Sequence, residues 1–175
     1  MRIGLVRHFK VKMKLPKKAF ISRDELSTWL DEYDKADVEC EQVDLCNVSW
    51  KSCYSSDMPR AVKTAENIYS GNITILQGLR EFNPIPLFER NHRLPFLFWV
   101  VLIQFEKLKS NRCLSEYKNQ IESCLNEILL ESDEDILIVS HGFAMICLKE
   151  ELKKRGFKGV NFKLPANGKL YIFEK

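Results

Sequence analysis

The run Ile136-Leu-Ile-Val139 restricts the fold of this chain more than any other segment. It contains only aliphatic residues and lies between the polar residues Asp135 and Ser140. A short apolar run without polar alternation is typical of a strand buried on both faces of a parallel sheet. His141-Gly142 then leads into a helical pattern that ends in Lys153-Lys154-Arg155-Gly156, where cations and a glycine suit a helix C-terminus. This unit predicts an α/β fold.

Short apolar runs alternate with helical patterns along the rest of the chain, which favours βαβ units and a mostly parallel sheet. Ser22-Arg-Asp-Glu25 predicts a helix that begins with a capping box. Asp57 is expected to cap a second helix, with Pro59 in its first turn. Further strands are predicted at 3–6, 49–54 and 72–76, a helix at 112–130, and a terminal hairpin of residues 160–164 and 169–173.

The size and charge of the chain narrow its class. Its 175 residues predict a single domain, 1–175, with about 82–112 as a lid or insertion segment. The net charge of +3 is too small to indicate a nucleic-acid partner. The longest apolar run, Leu94–Phe105, is about half as long as a membrane span and contains Pro95. We therefore predict a buried lid helix and no membrane partner; the oligomeric state stays open.

The cysteines indicate a reducing compartment. Six are scattered along the chain without a C-x-x-C pair: Cys40, Cys46, Cys53, Cys113, Cys124 and Cys147. The N-terminus has only a short apolar run before charged residues return, unlike a signal peptide. We expect a cytoplasmic protein that uses its cysteines as small core residues.

Charged side chains and histidines follow the predicted strands where these end. Arg7-His8 follows the first strand, Arg60 opens the helix after the second, Arg80-Glu81 follows the third, and His141 follows Ile136–Val139. Ligands of open α/β sheets bind beyond the carboxyl ends of the strands. Taken singly, each of these residues is typical of a surface charge or of a strand-to-helix turn. His92, which follows no predicted strand, is typical of a loop residue. Their coincidence on one rim favours a site.

This set of residues suits phosphoryl transfer. Two arginines can hold a tetrahedral dianion with planar, charged donors. An imidazole can accept a phosphoryl group, which water later removes. A second imidazole can bind the transferring oxygens, and a carboxyl group can protonate the leaving oxygen. Because arginine charge replaces a metal, we expect neither metal nor cofactor.

Three other kinds of phosphate or metal site do not fit. Six residues separate Cys53 from Arg60, one more than the loop of a cysteine-based phosphatase has. The chain has no G-x-x-x-x-G-K-[ST] loop, which excludes P-loop NTPases. Its histidines and cysteines lack the spacing of zinc ligands.

Four segments resemble the motifs of the histidine phosphatase superfamily, which has the phosphoglycerate-mutase-like fold. Leu5-Val-Arg7-His8 is similar to its Arg-His motif and Val139-Ser-His-Gly142 to its second-histidine motif. The segment from Tyr54 to Ala65 resembles its Ser-Ser, Arg-Ala and Thr-Ala pattern, and Leu79-Arg-Glu81 its glutamate segment. The four matches fall in family order. The resemblance implies a three-layer sandwich with a mostly parallel central sheet.

The resemblance also implies a role for each site residue. His8 would be the phosphorylated nucleophile, and Glu81 the proton donor, with Glu89 as the next candidate. Arg7, Arg60 and His141 would form the phosphate pocket. The chain departs from the family in Phe9 and Phe143, which replace glycines, and in a lysine-rich stretch after Phe9.

The resemblance favours a metal-independent phosphomonoesterase, since the mutases of the family are longer chains. A phosphoglycerate-mutase-type phosphotransferase and a non-catalytic protein that binds phosphorylated ligands are the alternatives. The substrate stays open between a small phosphorylated molecule and a phosphoprotein.

Overall fold

A computed structural model describes residues 1–108 and 112–175, without the side chains of residues 107 and 108. The strands in this part of the chain are β1 (Arg2–Arg7), β2 (Phe20–Ser22), β3 (Ser52–Ser56), β4 (Ile73–Leu76), β5 (Arg93–Pro95), β6 (Ile136–Ser140), β7 (Lys158–Gly159) and β8 (Leu170–Glu174). The α-helices are α1 (Arg23–Lys35), α2 (Pro59–Ile68), α3 (Phe96–Leu108), α4 (Arg112–Glu131) and α5 (Gly142–Lys154).

A six-stranded sheet with the order β4-β3-β6-β1-β8-β7 forms the centre of the molecule. The four strands from β4 to β1 run parallel. At one edge β8 pairs antiparallel with β1, and β7 pairs antiparallel with β8. This confirms the mostly parallel sheet. In the register of β1 and β6, Arg7 lies opposite Ser140. The residues that follow these strands, His8 and His141, therefore emerge side by side.

Helices cover both faces of the sheet because the buried strands are apolar on both sides. Ile136 and Ile138 of β6 belong to a core that includes residues of α4 and α5. Leu137 and Val139 belong to a second core with Ala61 of α2. Successive side chains of a strand point to opposite faces, so these two cores lie on opposite sides of the sheet. The three-layer sandwich is confirmed.

The local predictions at the helix starts have different outcomes. The capping box at Ser22 and Glu25 is present, with the reciprocal hydrogen bonds that this motif requires. Pro59 occupies the first turn of α2, but the prediction that Asp57 caps this helix is wrong. Met58 is the N-cap residue and makes no side-chain capping bond. The Asp57 carboxylate instead accepts a hydrogen bond of 2.6 Å from Nε of Arg80, because an ion pair with a guanidinium competes successfully with a neutral cap.

The terminal hairpin is also different from the prediction. The strand that forms the hairpin with β8 is β7, Lys158–Gly159, and not residues 160–164. Residues 160–169 connect the two strands, with Gly168 at φ +62°. Gly168 donates its N–H to the carbonyl of Arg7 at 2.9 Å. The connection is thus tied to the end of β1 and does not extend the hairpin.

A smaller unit packs beside the sheet. Strands β2 and β5 form an antiparallel ribbon, and Trp99 of α3 packs with Ile21, Leu26 and Ile85. The expectation of a buried lid helix is wrong for one side of α3, where Leu97 and Phe98 are exposed. A helix is buried only where another element covers it, and the ribbon covers one side. No helix of the described residues is long and apolar enough to cross a membrane.

The six cysteines are free thiols. Cys53, Cys124 and Cys147 are buried as expected. The prediction of core positions is wrong for the other three, Cys40, Cys46 and Cys113, which are exposed.

Candidate active site

Two histidines meet at the carboxyl ends of β1 and β6. The ring centroids of His8 and His141 are 5.1 Å apart. Both side chains are buried, and the backbone N–H of His8 donates to the carbonyl of Ser140 at 2.9 Å. The parallel pairing of the two strands therefore holds the two imidazoles in contact distance of one another.

Hydrogen bonds determine which nitrogen of His8 carries the proton. Nδ1 of His8 lies 2.6 Å from the carbonyl oxygen of Phe9. Because a carbonyl only accepts, Nδ1 holds the proton of the neutral ring, and the lone pair lies on Nε2. Nε of Arg60 donates to this Nε2 at 3.2 Å. His8 thus presents an uncharged imidazole whose Nε2 faces a guanidinium.

The surroundings keep both imidazoles neutral. Burial, together with the positive charges of Arg60 and Arg7, lowers the pKa of His8 from 6.5 to about 3. Burial and the same two arginines, with His8, also lower the pKa of His141 well below its ordinary value. Removal from water disfavours an imidazolium, and neighbouring cations add to this effect. At neutral pH Nε2 of His8 therefore keeps its lone pair, which accepts the hydrogen bond from Arg60.

Phe9 contacts the site through its backbone. It is fully buried in a small core with Val11 and Val38. Its backbone N–H donates to Oγ1 of Thr64 at 2.9 Å, while its carbonyl orients His8. The phenylalanine at this position therefore packs into the core and contacts the site through its backbone.

Arg60 links the histidines to helix α1. Its guanidinium is almost fully buried, and Nη1 donates to Oδ1 of Asp34 at 2.6 Å. The ring of Tyr33 lies under the same group, with its centroid 5.3 Å from Cζ of Arg60. Two groups on α1 thus fix a cation against the lone pair of His8. Charge-assisted hydrogen bonds of this kind are stronger than neutral ones.

Arg7 lies beside the start of α5. Its Nη1 donates to the carbonyl of Pro165 at 3.0 Å. A Cβ placed on Gly142 would lie 3.4 Å from Cζ of Arg7, an ordinary van der Waals distance, so the start of α5 lies directly beside the guanidinium. Nε of Arg7 is buried and has no hydrogen-bond partner among the described residues.

His141 has one nitrogen that is bonded and one that is not. Nε2 of His141 is hydrogen-bonded to Oγ of Ser56 at 2.9 Å. Its Nδ1 is buried without a partner in the described part of the chain. Buried polar atoms without partners cost free energy and are uncommon in folded proteins. Here two of them, Arg7 Nε and His141 Nδ1, belong to neighbouring residues.

Glu81 is held by two backbone donors. Its Oε1 accepts from the N–H of Phe82 at 2.9 Å, and its Oε2 accepts from the N–H of Phe143 at 3.0 Å. The second bond fixes the carboxylate against the first turn of the helix that follows His141. Glu81 and Arg60 both line a cleft of about 440 Å³ between α1 and the segment 80–85. The other charged residues that line it are Asp31, Asp34, Asp57 and Arg80.

The structure thus brings the predicted site residues together. Arg60 and His141 both contact His8. Arg7 lies beside Gly142, and Glu81 is hydrogen-bonded to Phe143 in the same helical turn. Glu89 and His92 are exposed and line a different hollow. Sequence reasoning did not identify Asp34 as part of the site. Its signal was its spacing: Asp34 follows Leu26 and Leu30 at intervals of four, where an inward-facing helix position normally carries an apolar residue.

Among the described residues, no group of three or more His, Cys, Asp or Glu side chains is arranged to hold a metal ion. The charged donors of the site are guanidinium groups, which suit phosphate and carboxylate ligands.

Comparisons with solved structures give the same fold at low sequence identity. A phosphoserine phosphatase from Entamoeba histolytica, in complex with 3-phosphoglyceric acid, has a TM-score of 0.56 at 15% identity, covering 98% of this chain and 89% of the other. A phosphoglycerate mutase from Thermus thermophilus has a TM-score of 0.55 at 18% identity, covering 96% and 90%. An alpha-ribazole phosphatase from Shigella flexneri has a TM-score of 0.53 at 17% identity, covering 98% and 89%.

A comparison with curated proteins gave no significant match. The profile of the histidine phosphatase superfamily (branch 1), however, matches residues 3–174, nearly the whole chain. The chain is therefore a member of the histidine phosphatase superfamily.

Proposed function

We propose that this protein is a phosphomonoesterase that acts through a phosphohistidine at His8. The observation that carries the proposal is the state of His8. It is buried and neutral, its Nδ1–H is held by a carbonyl, and its Nε2 lone pair faces a fixed guanidinium. A neutral imidazole oriented in this way is a competent nucleophile toward phosphorus.

The phosphoryl group binds between the arginines and the second imidazole. Arg7 Nε and His141 Nδ1, which are buried and lack partners among the described residues, supply hydrogen-bonding capacity for its oxygens. Arg60 turns its Nε from His8 to the phosphoryl oxygens, which opens access to Nε2. Asp34 keeps Nη1 of Arg60 in place during this change.

In the first step, Nε2 of His8 attacks phosphorus and the bond between phosphorus and the ester oxygen breaks. Protonated Glu81 gives its proton to that oxygen, so the alcohol leaves neutral. In the second step, the Glu81 carboxylate takes a proton from water, whose oxygen attacks the phosphorus of phosphohistidine. The P–N bond breaks, phosphate leaves, and Nε2 of His8 and the protonated Glu81 are restored.

The substrate class is a small phosphorylated molecule or a phosphorylated side chain. The cleft beside Arg60 and Glu81 has about 440 Å³, which is within the size range of small-molecule sites. Solved relatives are named as phosphatases of phosphoserine and alpha-ribazole, and as a phosphoglycerate mutase. Release of free phosphate distinguishes the proposed hydrolysis from transfer between two positions of a substrate.

The test is a panel of phosphomonoesters assayed for phosphate release in EDTA. We expect release from at least one ester, and an acid-labile phosphoenzyme that disappears in His8→Ala. His92→Ala is the matched control, because His92 is exposed and lies in another hollow. Activity that needs added zinc or magnesium, or a phosphoenzyme that persists in His8→Ala, would overturn the proposal. Phosphoryl transfer without free phosphate would support the mutase instead.

A further inference from the structure

The outer side of helix α3 is apolar although it faces solvent. We call its five exposed side chains the α3 face: Leu97, Phe98, Val100, Val101 and Phe105. Leu97 and Phe98 expose 71% and 61% of their surface. Gln104 is the only other exposed residue between Phe96 and Phe105. Contiguous apolar patches of this kind on soluble proteins mark interaction surfaces.

The inner side of α3 is fully used by the fold. Trp99 is buried, and its Nε1–H donates to the carbonyl of Ile21 at 3.0 Å. Leu102 and Ile103 pack on the same cluster. The helix is therefore held in place by one side, and the α3 face is a stable outward surface of the folded chain.

A basic segment runs beside the start of α3. Residues 12–20, Lys-Met-Lys-Leu-Pro-Lys-Lys-Ala-Phe, contain four lysines and no acidic residue. The end of the segment, Phe20, pairs with Pro95, immediately before α3. Near its middle, the carbonyl of Lys14 accepts from Nε1 of Trp29 at 3.2 Å. The ring of Trp29 in turn packs edge-on against the ring of Phe96, 5.0 Å away.

The basic segment combines free charge with further exposed apolar groups. Leu15 and Phe20 are 64% and 58% exposed. Lys12 pairs with Asp37 and Lys18 with Glu25. Lys14 and Lys17 are exposed and form no ion pair with any residue that the structure describes. Positive charge is thus available next to apolar side chains, the combination by which peripheral proteins bind anionic lipids.

We propose that the α3 face and the basic segment dock this protein on an anionic lipid surface. Helix α3 would lie in the plane of the interface, since its 13 residues are too few to span a bilayer. The lysines favour lipid over a second copy of the chain, because a two-fold dimer through this surface would bring the same cations together. The inference revises the expectation of no membrane partner, which assumed that this helix is buried.

Flotation of the full chain with vesicles tests the proposal without any substrate, so its outcome is independent of the phosphatase assay. We expect binding to phosphatidylcholine vesicles that contain phosphatidylglycerol, and weak binding to phosphatidylcholine alone. Leu97→Ser/Phe98→Ser should lower the partition coefficient by about tenfold or more. Leu130→Ser/Leu164→Ser, which replaces exposed apolar residues elsewhere, should leave it unchanged.

A second set of variants in the same flotation assay removes charge from the basic segment. Lys14→Gln/Lys17→Gln should weaken binding to the anionic vesicles by about fivefold for each lysine, whereas Lys118→Gln/Lys163→Gln should not. Equal binding to both kinds of vesicle, or no binding to either, would overturn the proposal. A dimer detected by light scattering that Leu97→Ser/Phe98→Ser dissociates, without vesicle binding, would assign the α3 face to a second copy.

Discussion

Mild acid should destabilise this protein through His8. The pKa of His8 falls from 6.5 to about 3 because burial and two guanidinium groups disfavour the imidazolium. Between these values the unfolded chain binds a proton that the native protein does not bind. Stability from His8 is therefore complete above pH 6.5, declines as the pH falls, and is lost by about pH 3.

The size of the effect follows from the two pKa values. Between about pH 7 and pH 5, one histidine with this shift lowers the free energy of unfolding by about 2 kcal/mol. His141, whose pKa is also lowered, acts in the same direction. Carboxylates with lowered pKa values, such as Asp135, lose their contribution mainly at lower pH.

Urea unfolding of wild type and His8→Asn at about pH 7 and pH 5 measures this contribution. The side-chain amide of asparagine can replace the Nδ1–H bond to Phe9 but does not titrate in this range. We expect the variant to lose about 2 kcal/mol less than wild type between the two pH values. His92→Asn, at an exposed position, is the control and should behave as wild type. An equal pH dependence in wild type and His8→Asn would refute the assignment of a buried, neutral His8.

Two further substitutions test other parts of the site, and a third tests the turn that is tied to the end of β1. Glu81→Gln should slow turnover of esters with poor leaving groups by about 10²–10⁴-fold, and turnover of p-nitrophenyl phosphate by less. If the variant turns over both kinds of ester as fast as wild type, general acid catalysis by Glu81 is contradicted. Asp34→Ala should lower kcat/KM by about tenfold because Arg60 loses a charge-assisted bond, and Asp34→Asn should lower it less. Equal losses in the two variants would argue that Asp34 does not act by positioning Arg60. Gly168→Ala should lower the free energy of unfolding by about 1–2 kcal/mol, since Gly168 has a positive φ and an added Cβ would lie 3.1 Å from Phe9. An unchanged midpoint of urea unfolding would contradict this.

Local patterns were enough to predict the sheet and the rim residues. The run Ile136–Val139 needs burial on two faces wherever it lies, and the capping box of Ser22 and Glu25 involves only neighbours in the chain. The carboxyl ends of parallel strands share one edge, so the proximity of His8 and His141 also follows from the strand pattern. Their roles, and those of Arg7, Arg60 and Glu81, stay predictions until the variants are measured.

The tertiary structure decided everything that depends on partners distant in the sequence. Nε2 of His8 faces a guanidinium only because the fold brings Arg60 to it, and Asp34 reaches Arg60 only because α1 packs beside α2. The apolar sequence of α3 predicted a helix but not which side would be covered. Hydrophobicity is a property of the residues themselves, whereas burial requires a neighbour, and the fold provides one for Trp99 but none for Leu97 among the described residues.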